Sequence, residues 1–172
     1  MRDYRLIARL LDYPDPELTR HLDELKHYLQ SESALNPAEQ QELGQLLDWM
    51  QQQSLTELQE AYVQTFDMQA EHSLHLTHHL FGDDRGRGPA LIDLGEHYQA
   101  NGLQADEKEL PDYLPLILEY VSTLDEFQAQ VFLADAHKVI TVLAANLERA
   151  ASPYAPLLRI VERRGQLAPR AA

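Results

Sequence analysis

Apolar residues return along most of the chain at intervals of three and four. Leu18, Leu22, Leu25 and Leu29 recur at i, i+4, i+7 and i+11, and Leu43, Leu46, Leu47 and Met50 at i, i+3, i+4 and i+7. Leu55, Leu58, Tyr62 and Phe66 keep the same beat. Phe132, Ala136, Val139, Ile140, Leu143 and Leu147 form a long stripe, and Tyr154, Leu157, Leu158 and Val161 a last one. Each stripe is one apolar face of a helix that must be covered by other helices. The pattern predicts helices near 2–12, 16–31, 37–52, 55–67, 89–101, 112–123, 125–150 and 153–164. Strand-like alternation is rare. The expected fold is all-α, a single-domain bundle of about seven to nine helices. The helical body should span 1–165, with 166–172 as a flexible tail.

Polar residues at the boundaries sharpen this reading. Asp15-Pro16 and Asn36-Pro37 place a side-chain acceptor before a proline, which suits an N-cap followed by the first helical position. Asn36 and Glu39, Ser54 and Glu57, and Thr123 and Glu126 have the spacing of a capping box. Gly102 and Gly165 follow helical stretches and suit left-handed C-caps. The stretch 112–123 is apolar nearly all round, which marks either a central helix or one with a face kept for a partner. The least regular stretch is 68–88.

Composition narrows the chemistry. The chain has 172 residues, a net charge of −14 and no cysteine. Disulfides, thiolate-bound zinc and thiol catalysis are thereby excluded. The negative charge disfavours nucleic acid and anionic membrane surfaces and favours basic partners. Seven acids stand against Lys108 within 102–126. No apolar run approaches the roughly 18–20 residues of a membrane span, and Asp3 interrupts the start where a secretory signal would be apolar. A cytoplasmic location is expected, without membrane insertion.

Half of the eight histidines fall between His72 and His79, in "HSLHLTHHLFGDDRGRGPALIDL". His75 and His79 would share a face on a helix, and with His72 they offer imidazoles for a borderline ion such as zinc. The H-E-x-x-H pattern fails, because Leu76 stands where its carboxylate would be. The glycine-rich run from Gly82 to Gly88 matches neither phosphate-binding fingerprint and follows no predicted strand. A histidine among leucines more often packs by its ring and satisfies its nitrogens locally. A metal-dependent enzyme and a generic helical adaptor remain the alternatives to a dedicated peptide binder.

Two segments carry a resemblance. "HHLFGDDRGRGPALIDL" and "ELPDYLPLILEYVS" resemble the respiratory nitrate reductase assembly chaperones, the delta-subunit branch of the all-helical molybdoenzyme chaperones. "ARLLDYP" (8–14) and "AYVQTFDM" (61–68) fit the same branch. The resemblance covers roughly 1–165. It implies a non-enzymatic, cofactor-free chaperone without catalytic or metal-binding residues. Such a protein binds the N-terminal leader-like segment of the nitrate reductase catalytic subunit and supports molybdenum cofactor insertion. His79, Gly82, Arg85, Arg87 and Gly88 match residues typical of the branch. Glu109-Leu110-Pro111-Asp112-Tyr113 is similar to a motif in which many relatives carry histidine where this chain has Tyr113.

A leader-like segment is a basic amphipathic helix, so its receptor should be an apolar groove with acids along the rim. Tyr113, Leu116, Ile117 and Tyr120 are the expected floor. Leu80, Leu91 and Leu94, with Leu76 and Phe81, are the expected wall. Asp83, Asp93, Asp112 and Glu119, with Asp84, would meet peptide cations. His75 and His79, with His78, stand beside the groove and would make binding sensitive to pH. Arg87 completes the candidate set. Leu91, Leu94 and Ile117 are, as residue types, more often core than contact.

Overall fold

A computed structural model describes residues 2–82, 84–103 and 109–166. α1 (Arg2–Leu11) turns Tyr4, Leu6, Ile7, Leu10 and Leu11 inward, and each fully buried leucine contributes about 1.5–3 kcal/mol. At α2 (Pro16–Ser31) the Asp15 carboxylate accepts from the Leu18 amide at 2.7 Å, as the Asp-Pro signal predicts. Asn36 and Glu39 form a capping box at α3 (Pro37–Gln51), and Ser54 and Glu57 form another at α4 (Leu55–Tyr62). α4 continues into a π-helical turn, Val63–Asp67, and a 3₁₀ turn follows at Ala70–His72.

Next come α5 (Leu76–Phe81), α6 (Arg87–Ala100), α7 (Leu114–Thr123), α8 (Glu126–Arg149) and α9 (Ala155–Arg164). Among the described residues there is no strand beyond one isolated antiparallel bridge between His75 and Tyr113. The all-α bundle is therefore as expected, with α5 an added helix inside the stretch read as least regular. No described helix is long and apolar enough to cross a membrane.

Two boundary expectations are corrected. The Thr123–Glu126 box does not form, because the Thr123 hydroxyl donates back to the Tyr120 carbonyl at 2.7 Å. Asp125 caps α8 instead, accepting from the Gln128 amide at 2.8 Å. Gly102 has φ 79° and is the left-handed cap expected, but Gly165 has φ −84°. Gly165 is needed for space: a Cβ there would lie 2.8 Å from the Leu133 carbonyl oxygen, where α8 and α9 meet.

The bundle is assembled pairwise, with α1 packed on α7, α2 on α3, α8 on α9, and α3 on α9. Leu114, Leu118 and Val121 of α7 and Leu133, Ile140 and Leu143 of α8 are wholly buried. An aromatic cluster lies between α3, α4 and the start of α9: Tyr154 meets Trp49 edge-on at 5.9 Å and Phe66 at 5.1 Å, and Tyr62 packs on Phe66 at 4.8 Å. Buried Glu39 pairs with Arg163 at 3.0 Å and Arg164 at 3.6 Å, tying α3 to α9. α8 ends in a Schellman motif with Ser152 N–H on Leu147 O and Ala151 N–H on Glu148 O, both at 2.9 Å. Ala151 takes the left-handed position, φ 51°.

Candidate functional site

The two segments that carry the resemblance meet through their backbones. The Leu76 amide donates to the Asp112 carbonyl at 3.1 Å, and the Leu114 amide to the Leu74 carbonyl at 2.9 Å. Side chains reinforce the bridge. Asp112 accepts from the Thr77 amide at 3.0 Å and the Thr77 hydroxyl at 2.5 Å, with His75 Nδ1 at 3.3 Å. Arg87 donates from Nε to the Thr77 hydroxyl at 2.9 Å and brings Nη2 to 3.9 Å from the Asp112 carboxylate.

Asp112 is thus the remote cap of α5. The N-cap residue His75 makes no side-chain capping bond of its own, and the orphan Thr77 amide of the first turn is satisfied from the other segment. Asp112 is fully buried. Burial by itself would raise its pKa, but the hydrogen bonds from His75 and Thr77 together outweigh it and hold the carboxyl below its ordinary value. The expected rim acid is an interior one, and α7 begins at Leu114 rather than at residue 112 because residues 112–114 belong to the bridge.

Tyr113 joins a second polar knot. Its hydroxyl lies 2.7 Å from that of Tyr62 and 3.1 Å from the Asp12 carboxylate, and Tyr62 donates to the Leu11 carbonyl at 2.9 Å. Burial, then its neighbours Tyr62 and Asp12, push the Tyr113 hydroxyl far above its ordinary pKa, so it stays a neutral donor. "ARLLDYP", "AYVQTFDM" and "ELPDY" therefore converge on one point.

Of the expected floor, Ile117 and Tyr120 are buried, while Tyr113 and Leu116 are half-buried and pack against the core. Of the expected wall, Leu76 is buried, Leu91 and Leu94 are half-buried, and Leu80 is 61% exposed. Asp93 faces solvent; Glu119 is exposed only in part, and the partial loss of water around its carboxyl, then the Asp12 charge, raises its pKa. Asp83 lies outside the described residues. α6 is thinly packed: Tyr98 is its one buried residue, its hydroxyl donating to Pro111 O at 2.8 Å, while Ile92 is 62% exposed.

The histidines do not converge. His72 Nδ1 donates to Thr65 O at 2.9 Å, His79 Nε2 donates to Ser73 O at 2.7 Å, and His75 is bound to Asp112. Among the described residues no group of three or more histidines and acids could hold a metal ion. Local satisfaction, weighed from the sequence, holds for one nitrogen each of His72 and His79; His75 instead meets Asp112, distant in sequence, and His72 Nε2 is buried without a hydrogen-bond partner. Thr77, Tyr62, Tyr98, His97 and Asp12 carry no site signal in the sequence; Asp12, Tyr62 and Thr77 lie inside quoted stretches, but nothing in their spacing marks the partner each meets.

Residues 14–159 match the family model described as the nitrate reductase delta subunit. The chain is 34% identical over 156 residues to the nitrate reductase molybdenum cofactor assembly chaperone NarJ of Escherichia coli K12, covering 91% of this chain and 66% of that protein. It is 32% identical over 158 residues to the probable nitrate reductase molybdenum cofactor assembly chaperone NarJ of Bacillus subtilis 168, covering 92% and 85% respectively. It is also 33% identical over 106 residues to the nitrate reductase-like protein NarX of Mycobacterium tuberculosis H37Rv, covering 62% of this chain and 16% of that one. The chain thus spans just under two thirds of the length of the Escherichia coli relative.

Proposed function

The chain belongs to the nitrate reductase delta subunit family, and from that premise we propose that it is an assembly chaperone for a nitrate reductase. In this reading it acts in the cytoplasm, holds the N-terminal leader-like segment of the catalytic subunit, and keeps that subunit open to molybdenum cofactor insertion. It does so by binding, with no chemistry of its own. The observation that carries the reading is the clamp joining Leu74–Thr77 to Asp112–Leu114. It fixes the two segments that resemble this family in one place, beside a thinly packed helix with exposed apolar residues. Leu80 and Ile92 stand uncovered there, with Asp93 in solvent next to Ile92 in sequence. A strongly acidic chain that leaves apolar side chains in water suits a basic amphipathic helix.

The test has two arms. A synthetic peptide of about fifteen residues from the catalytic subunit's N-terminus, some four helical turns, should bind saturably in a calorimetric titration. Nitrate reductase purified from cells lacking this chain should be poor in molybdenum and regain it when the chain is restored. Full molybdenum content in its absence overturns the chaperone reading.

A further inference from the structure

We propose that the client's basic amphipathic helix docks in a groove at the meeting of α6, α7 and α8, on Phe127 and Val131, and not on the α7 face that the sequence suggests. This rests on the reading of the chain as a binder of a leader-like segment, and it names the surface. The groove encloses about 300 Å³ and is lined chiefly by apolar atoms. That volume lies at the lower end of small-molecule sites, about 300–1,000 Å³, and also suits a few inserted side chains.

Phe127 is 74% exposed and Val131 42% exposed. They stand one turn apart on α8, so they share a face, and Asp135 extends the row by another turn. Across the groove, α6 contributes His97 and Asn101, again one turn apart. Asp93 precedes them on that face, exposed. Tyr120 and Phe132 make the floor.

The floor is held rigid. The Tyr120 hydroxyl lies 2.7 Å from His97 Nε2, His97 stacks on Phe132 with ring centroids 5.8 Å apart, and Tyr120 meets Phe132 at 5.2 Å. A preformed floor lowers the ordering cost of binding. By contrast Ile117 of α7 is buried in the core, so it offers no surface to a partner.

The charge selects the occupant. Asp135 lines the groove, Asp93 continues its α6 edge, and no lysine or arginine is among the described lining residues. A helix with two apolar anchors one turn apart and flanking Lys or Arg complements this surface; an acidic helix is repelled by it. Of the residues expected from the sequence as peptide contacts, Tyr120 is the one that lines it.

The experiment titrates the same N-terminal peptide into the full chain, the Phe127→Ser/Val131→Ser double variant, and Val142→Ser, an exposed α8 position outside the groove, as a control. Both variants should fold, with melting temperatures within a few degrees of the wild type, since none of these side chains is buried in the core. The double variant should bind about tenfold more weakly or worse, with Val142→Ser unchanged. Asp93→Asn/Asp135→Asn should weaken binding and flatten its salt dependence. Binding by the wild type that is unaffected in the double variant overturns the groove and leaves the chaperone reading standing. No binding by the wild type overturns both. A wild-type dimer that the double variant converts to monomer in sedimentation assigns the groove to a second copy and overturns the proposal.

Discussion

At residue 112 a carboxylate shut away from water accepts from a backbone amide, a hydroxyl and an imidazole, with a guanidinium close by. Removing it leaves the Thr77 amide and hydroxyl short of a buried partner. Asp112→Ala should therefore cost about 2–4 kcal/mol in a urea titration, with α5 the first element to lose protection. Because the folded carboxyl is more acidic than the unfolded one, its contribution is fully present above the ordinary carboxylate value of about 3.9. It drains away as pH falls through the lower, folded value. Asp112→Asn should accordingly show a shallower loss of stability below about pH 4 than the wild type, measured by denaturant midpoint against pH. At the end of α8, Ala151 holds a left-handed position that favours glycine. Ala151→Gly should raise stability by up to about 1 kcal/mol, read as a higher Tm. A lower Tm would show that the side chain gains more from its surroundings than the backbone conformation costs.

Among the elements, α6 differs from its neighbours in what anchors it. α7 and α9 each bury most of their residues, whereas α6 buries Tyr98. Tyr98→Phe keeps the ring and removes the bond to Pro111, so α6 amides should exchange roughly five- to tenfold faster, a loss of about 1 kcal/mol or slightly more. Unchanged exchange would mean the ring alone holds the helix. The same contrast explains what the sequence revealed. Periodic apolar residues place α2, α3, α4, α8 and α9, and local caps mark the starts of α2, α3 and α4, because these helices carry their own core stripes and, for the first three, their own start signals. The stretch from residue 68 to 88 is different: α5 is short and is capped by Asp112, a residue distant in sequence, so no local pattern announces it. The family resemblance pointed to the two segments, and the structure brings them together. The fate of each side chain was hidden because a helix apolar all round does not say which face is covered, and α7 packs on both α1 and α8. The groove went unread because Phe127 and Val131 look like ordinary helix residues until their exposure is known.

For the whole molecule the dominant fact is a charge of −14. A basic peptide should be drawn in from a distance and held by short-range apolar contact. Raising salt from about 0.05 to 0.5 M, which shortens the Debye length to a few ångströms, should slow association several-fold and leave dissociation nearly constant. Stopped-flow fluorescence with a labelled peptide would measure both rates, and a salt effect confined to dissociation would contradict this picture. The unlabelled protein carries a reporter of its own. Trp49 is the sole tryptophan, set edge-on against Tyr154 in the aromatic cluster, and it is not among the residues lining the α6–α8 groove. Its emission maximum should move to longer wavelength when the bundle melts and hold steady as the groove fills, so one cuvette can distinguish a variant that no longer folds from one that no longer grips.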